Sequence, residues 1–507
     1  MNRKYKFLLI GLMISLFLVP SGWANSSLGE LANETVVVTG APNAVSAGLI
    51  VNPDGRGDTL VFPYYDVRTL NGKGQQSLFL IINESATGGG QIIGNEVQGD
   101  GVDTGIIARI GFREWDKSIE VLDFHIYLSD EDVWVGQVTL NGNLGNIKSP
   151  DFVVVDATNA LFYLAKPWAI VGPDFSTLNI NYTPPGGLSK DQLTQMGYIE
   201  VIGEEAVAKK PTASSGSSPN TGQPFTHTVA RTFLDCPNNM MGTLYILRTD
   251  DGVAMGYNAT ALANFSRNAG SLFGGLGLNT PTLAFAEDTL DQVEFVLSKE
   301  DIFGAYSIET EIGASASLLI TFPTKHFHYN DSGLCRSLIV GSNNPFSAAC
   351  ENDGEEITAK IWDRDENFIT IQQGFISPQP PGQKVVLPYE VNIIGFYPGT
   401  TTPAPVGGAF FGIGRDNIAF PVGTFRSGWA WINFPANVPV AGAKIAFPVL
   451  IDFYQYYGNL FDEYNGLPAL GLQIQEFFNG VAGGFYGETV PAWYEVEWFL
   501  FVPPPIL

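Results

Sequence analysis

Cysteine is nearly missing from this chain: three in 507 residues, Cys236, Cys335 and Cys350. That excludes a disulfide scaffold as the basis of the fold, and with no Cys-x-x-Cys the spacings match neither a zinc site nor a redox pair. Histidine is as scarce, at four. Charge is thin and one-sided, with 15% of residues charged, 26 Lys+Arg against 51 Asp+Glu and a net charge of -25. Such a surface repels nucleic acid, so no nucleic-acid partner is expected. Also absent are a Gly-x-Ser-x-Gly elbow, a His-Glu-x-x-His helix and a phosphate-binding Gly-x-x-x-x-Gly-Lys-Ser/Thr loop. No catalytic residue can be named, and the chain leans away from catalysis. Paired carboxylates for glycoside cleavage stay open, because 51 acids place pairs almost anywhere.

What is present is apolar material and turn residues: 45% hydrophobic, 12% aromatic, 57 Gly and 32 Pro. Residues 1–24 read as a secretory signal. Arg3, Lys4 and Lys6 precede the apolar run Phe7 to Val19, and Gly22-Trp23-Ala24 offers a small-residue cleavage site. Export to the periplasm, the outer surface or the medium is the expectation. No later apolar stretch reaches the length of about 20 residues that a spanning helix needs.

Short β-type runs broken by Gly, Pro, Asn and Asp dominate, as at 59–65, 77–83, 121–128 and 133–140. The fold class expected is mainly β: two or more antiparallel sandwich-like domains with a few short helices. The helices are expected at 189–195, where Ser189 and Gln192 fit a capping box, at 288–299, and at 258–265. The series of short strands does not have the regularity of a membrane barrel. The Pro/Ser/Gly/Thr-rich stretch 208–226 is expected to be a linker between an N-terminal β domain, 25–207, and a C-terminal β region, 227–507, with a weaker break near 397–408. Its competing reading is an insertion within one sheet, because 243–257 makes a good hairpin around Asp250-Asp251-Gly252 that can pair backwards across it. Phe-Pro recurs at Phe62-Pro63, Phe322-Pro323, Phe420-Pro421, Phe434-Pro435 and Phe447-Pro448. Proline cannot donate to a ladder, so each copy is expected at a strand end, an edge or a bulge.

Candidate sites are few. His326 and His328, in Thr324-Lys325-His326-Phe327-His328, would share one face of a strand and grip a metal, with Asp331 close enough to join; the alternative is a pair of exposed imidazoles. Calcium is the one cofactor the acid density admits. Asp363 and Asp365, in Asp363-Arg364-Asp365-Glu366-Asn367, come nearest to a calcium loop, but Phe368 stands where the loop glycine belongs and Gly374 where the bidentate glutamate belongs. Other acidic groups lie at Asp100 and Asp103, at 130–132 and at 351–356. An exported chain permits a disulfide, and Cys335 with Cys350 is the expected pair, closing a loop of about 15 residues worth roughly 3 kcal/mol. Aromatic groups at 453–464 and 493–501 serve a core, a subunit contact or a sugar platform.

The stretches 57–65, 121–129 with Asp132-Val133-Trp134, and 197–202 resemble segments of a widespread group of uncharacterised exported proteins of Gram-negative bacteria; the likeness extends more loosely to 254–265 and 321–327. The resemblance implies export and a β-rich surface protein, and it brings no catalytic residues. The function expected is a secreted, acidic structural or binding protein acting by assembly or adhesion, with itself or with other surface proteins. A glycan-binding module or glycan-active enzyme is the alternative, and metal capture by the His-x-His segment is the third.

Overall fold

The computed structural model describes residues 49–70, 72–84, 91–93, 96–98, 105–128, 131–158, 161–164, 168–170, 172–207, 212–213, 225–228, 238–248, 250, 253–265, 281–284, 287–312, 314–328, 345–346, 354–371, 385–397, 417–434, 466–478 and 483–489. The chain is mainly β and almost wholly antiparallel, and its strands form four main sheets. Each of the four runs read as strands falls inside one: Thr59–Asp66, Gln76–Asn83, Glu120–Leu128 and Val133–Asn141.

A ten-stranded sheet carries Thr59–Asp66, Met196–Val207, Gly105–Glu114 and Glu120–Leu128 side by side at its centre. A five-stranded sheet of Leu144–Lys148, Val133–Asn141, Gln76–Asn83, Met240–Arg248 and Val253–Asn258 packs on one face. Aromatic rings interdigitate between them: Phe79 lies 6.1 Å from Phe62, 5.8 Å from Phe112 and 5.6 Å from Trp134, at the offset or edge-on angles that ring quadrupoles favour.

A second sandwich follows. One sheet holds Asp301–Ser307, Ser427–Asn433, Glu355–Asp363 and Phe368–Ile371; the other holds Asn417–Pro421, Val391–Tyr397, Ala314–Thr321, Leu470–Phe478 and Gly483–Thr489. Alternation along the central strands divides their side chains between two cores. Leu318, Ile320 and Ile394 join the second core, while Leu319, Val391, Ile393 and Leu472 join the first. The backs of the two sandwiches therefore meet, and Thr321 Oγ1 donates across that junction to the Pro63 carbonyl at 2.7 Å.

Strands on the two sides of 208–226 share the same sheets. Met240–Arg248 pairs with Gln76–Asn83, and Thr260–Ala263 pairs with Thr59–Asp66. The hairpin Met240–Arg248 with Val253–Asn258 has the register Thr243 to Asn258 and Arg248 to Val253.

Two of the three expected helices form. Ser189 caps Lys190–Leu193 with a complete capping box to Gln192, and Glu287–Leu297 is the longer helix. The third expectation is corrected. Within 258–265 the chain runs as the strand Thr260–Ala263, because Ala261 and Leu262 fill the ten-stranded sheet beside Leu60 and Thr59. The Phe-Pro copies that are described sit at irregular points of their ladders. Pro63 lies at the register shift between Thr59–Asp66 and Met196–Val207, Pro323 follows the end of Ala314–Thr321, and Pro421 closes Asn417–Pro421.

Candidate functional site

The second sandwich turns an aromatic face outward. In Ser427-Gly428-Trp429-Ala430-Trp431-Ile432-Asn433 the inward positions Ala430 and Ile432 are buried in the core, so period-two alternation puts Trp429 and Trp431 on the opposite side. Glu355–Asp363 does the same with Ile357, Ala359 and Ile361 inward and Lys360 and Trp362 outward. Registers then assemble two rows across the sheet: Ala305, Trp429, Trp362 and Phe368 in one, and Phe303, Trp431, Lys360 and Thr370 in the other.

The rings stand in file. Trp362 and Trp429 stack at 4.0 Å with an interplanar angle of 1°, Phe303 lies 5.7 Å beyond Trp429, and Phe368 lies 5.9 Å beyond Trp362. Gly428 permits the close approach, since a Cβ there would collide with the Trp362 carbonyl oxygen. Phe368 is 58% exposed and Trp429 39%, far more than core aromatics. The one charge in the two rows is Lys360, whose ammonium lies 5.0 Å from the centre of the Trp431 ring and 5.9 Å from that of Phe368.

The outer face of the first sandwich is also apolar. Outward positions are Leu78, Leu80 and Ile82 on Gln76–Asn83, Val133 and Val135 on Val133–Asn141, and Met241, Tyr245 and Leu247 on Met240–Arg248. Their polar neighbours on these three strands are Gln76, Gln137 and Thr243, and Lys148 of the adjacent strand lies opposite Gln137 on the same face. Gln137 Nε2 donates to Gln76 Oε1 at 2.6 Å. The same alternation places Asp301 and Glu356 on the outward side of the aromatic sheet, beyond its two rows of rings.

Two sheet edges are closed. Along Leu144–Lys148, Ile147 N donates to the Pro173 carbonyl, Ser149 N to that of Trp168, and Phe175 N to that of Gly145. Along Asp301–Ser307, Ala305 N donates to Gln473 Oε1 at 3.0 Å and Ser307 N to Gln475 Oε1 at 2.9 Å, while Gln475 Nε2 returns to the carbonyls of Ser307 and Ser315. Side chains of the facing sheet take the positions that another strand would occupy.

The residues anticipated from sequence fall elsewhere. Lys325–His328 is a turn of 3₁₀ helix, not a strand, so His326 and His328 do not share a strand face. His328 Nε2 meets Glu294 Oε1 at 2.6 Å with both groups buried, and His326 Nδ1 lies 3.4 Å from the Tyr198 hydroxyl. The turn docks between the sandwiches, where Lys325 faces Glu355 at 3.9 Å and Arg113 Nε faces Glu200 at 3.0 Å. Burial pushes the Glu294 and Glu200 carboxyls up, while His328 and Arg113 draw them back toward ionisation.

Asp363 serves its own hairpin. It accepts from Asp365 N and Asn367 N at 2.9 Å and from Asn367 Nδ2 at 3.0 Å. The Asn367 side chain, with these amides, holds the Asp363 carboxyl below its usual range. Asp365 supplies a backbone amide to this turn. Among the described residues no three His, Cys, Asp or Glu side chains come close enough to hold a metal. Asp331, Cys236, Cys335, Cys350 and the aromatic groups at 453–464 and 493–501 lie outside the described residues, as do Asp100 and Asp103.

Sequence reading missed the aromatic file, although its signal is local: Trp429-Ala430-Trp431 is a strand apolar on both faces. Among the described residues no helix is long and apolar enough to cross a membrane. The chain matches no protein-family model, no curated protein and no solved structure.

Proposed function

We propose that this chain is an exported surface protein that acts by assembly or adhesion through the outer faces of its two sandwiches. One observation carries the reading: on a molecule of net charge -25, two outward sheet faces are apolar at their centres, one of them aromatic, with charges such as Lys148, Asp301 and Glu356 toward their margins. Acidic surfaces repel one another, so contact with another copy or another surface protein is favoured where apolar side chains replace charge. The closed edges at Leu144–Lys148 and Asp301–Ser307 turn that contact away from strand pairing and toward face packing. Export rests on residues 1–24 and on the resemblance to exported β-rich proteins.

Glycan binding is less well served. A sugar stacks on an aromatic face, but Trp362 and Trp429 spend facing sides on each other and Trp431 has Lys360 over its ring. Light scattering on the purified protein across a concentration series, with calcium and then with chelator, tests the proposal alongside a polysaccharide pull-down. Concentration-dependent mass that Trp429→Asp abolishes is the expected result. A strict monomer in both conditions sinks assembly, and retention on polysaccharide that Trp429→Asp removes would favour the glycan alternative.

A further inference from the structure

We infer that the open edge of the strand Phe368–Ile371 pairs with the same edge of a second copy, antiparallel about a twofold axis at Ile369. This contact stands on backbone groups and goes beyond the face packing proposed above. The outer edges of Leu144–Lys148 and Asp301–Ser307 are met by other parts of the chain, and that of Phe368–Ile371 is not. Its inner side pairs with Glu355–Asp363, Phe368 opposite Trp362 and Ile369 opposite Ile361. Asp363 N donates to the Asn367 carbonyl at 2.9 Å, which sets the alternation. Ile369 and Ile371 point their amides and carbonyls at that ladder, and Phe368 and Thr370 turn theirs to the outer edge. Among the described residues nothing meets those outward groups. The edge also lacks the usual protection, having neither a charge nor a proline in Phe368-Ile369-Thr370-Ile371.

The edge is complementary to itself. An axis at Ile369 sets Phe368 opposite Thr370 of the second copy and Thr370 opposite its Phe368, so every outward amide finds a carbonyl and four ladder bonds form. The two sides of the sheet match as well. Ile369, packed against the second core, meets Ile369 of the second copy on the inner side. On the outer side the row Trp429, Trp362, Phe368 runs on into Thr370, Lys360 and Trp431 of the second copy. A strand of another protein would meet the backbone equally well but would match both sides only by coincidence. Charge does not oppose the pairing. The two Lys360 strands lie three strand spacings apart, about 14 Å, beyond the screening length of about 8 Å in physiological salt. The turns Arg364-Asp365-Glu366 go to opposite ends of the contact, their Asp365 residues roughly 27 Å apart along the strands. Asp301 stands on the strand at the other end of this sheet and Glu356 opposite Val386, both outside the contact.

Four bonds make a weak, reversible contact that light scattering on a dilute sample does not register, so the test traps it as a disulfide in the full chain. In this register the two Ile369 α-carbons form a non-hydrogen-bonded pair about 4.5 Å apart, within the span of a disulfide. Those of Thr370 lie roughly 8 Å apart, beyond it. Under a mild thiol oxidant, Ile369→Cys is expected to give a dimer whose peptide map links residue 369 to residue 369. Thr370→Cys is not expected to be trapped, although Thr370 is the more exposed of the two. Adding Thr370→Pro to Ile369→Cys removes an outward amide where a sheet edge admits proline, and trapping is expected to slow by roughly tenfold because both copies lose a bond. Thr370→Lys, a charge placed on the edge, is expected to slow it as well, and circular dichroism establishes that each variant is folded. Adding Trp429→Asp is expected to leave trapping unchanged, which separates the edge contact from the face contact. Trapping at 370 as fast as at 369, trapping that neither Thr370 variant slows, trapping that Trp429→Asp abolishes, or no link between the two 369 residues would each overturn the inference and leave the face reading to its own test.

Discussion

Trp362 and Trp429, on neighbouring antiparallel strands and directly opposite in register, stack face to face at 4.0 Å and 1°. Their backbones are held by the buried side of the same strands, where Ile361 and Ala430 oppose each other in the core. The pair is therefore a fixed surface feature.

Truncating either ring should be tolerated by the fold. Trp362→Ala and Trp429→Ala are each expected to cost stability, with a coupling between them of about 1 kcal/mol, the size typical of aromatic pairs. A double-mutant cycle in urea measures it. Additive losses would show that the stacked geometry contributes nothing beyond area.

His328 should matter more than its four-residue turn suggests. Removing it by His328→Ala leaves the Glu294 carboxylate buried without its imidazole partner, for a loss of about 3–5 kcal/mol. The sign with pH follows from Glu294. Burial raises its folded value, so its neutral form suits the fold and the ionised form, present as pH rises, does not. The penalty of His328→Ala should therefore be larger at pH 8 than at pH 5 in parallel urea titrations, and an equal penalty at both would contradict the pairing.

Glu114 closes the hairpin between Gly105–Glu114 and Glu120–Leu128 by accepting from the amides of Asp116, Lys117 and Ile119 and from the Tyr182 hydroxyl. Burial, and next the Asp116 carboxylate, push its carboxyl up to about 8, against the opposing pull of those amides. A folded value above the unfolded one gives a contribution that is fully present below the unfolded pKa and is lost as pH climbs through about 8. Thermal melts from pH 5 to 9 should show falling stability. Glu114→Gln should flatten that slope only in part, because Glu200 and Glu294 share its sign.

Gln475→Leu should uncap the strand Asp301–Ser307. It removes the acceptor for Ser307 N and the donor to the Ser307 and Ser315 carbonyls, a loss of about 1–3 kcal/mol for buried groups left unmade. Exposure of that edge should also bring aggregation, followed by thioflavin fluorescence and turbidity on heating.

Much of the fold was legible in the chain. Thr59–Asp66, Gln76–Asn83 and Glu120–Leu128 were readable because strand character is written in alternation and in turn residues only a few positions away. Ser189 and Gln192 announced their cap for the same reason, being three residues apart. The segment 258–265 was misread because Ala261 and Leu262 suit a helix locally and become strand only by filling a place beside Leu60. His326 and His328 were misread in the same way: nothing near them in sequence says that Glu294 and Tyr198 wait at hydrogen-bonding distance.

By itself, then, the sequence determined a β-rich chain, poor in charge and acidic where charged, with strands, turns and caps whose causes lie within about ten residues of one another. Only the tertiary structure decided which side of each strand meets a core. That choice belongs to residues far away: Gln473 and Gln475 against the edge at Ala305 and Ser307, Glu294 against His328, Leu60 against Ala261. Burial is a property of the partner sheet and not of the strand, so Trp362, Trp429 and Trp431 became a surface only when Ile361, Ala430 and Ile432 were drawn into the core behind them.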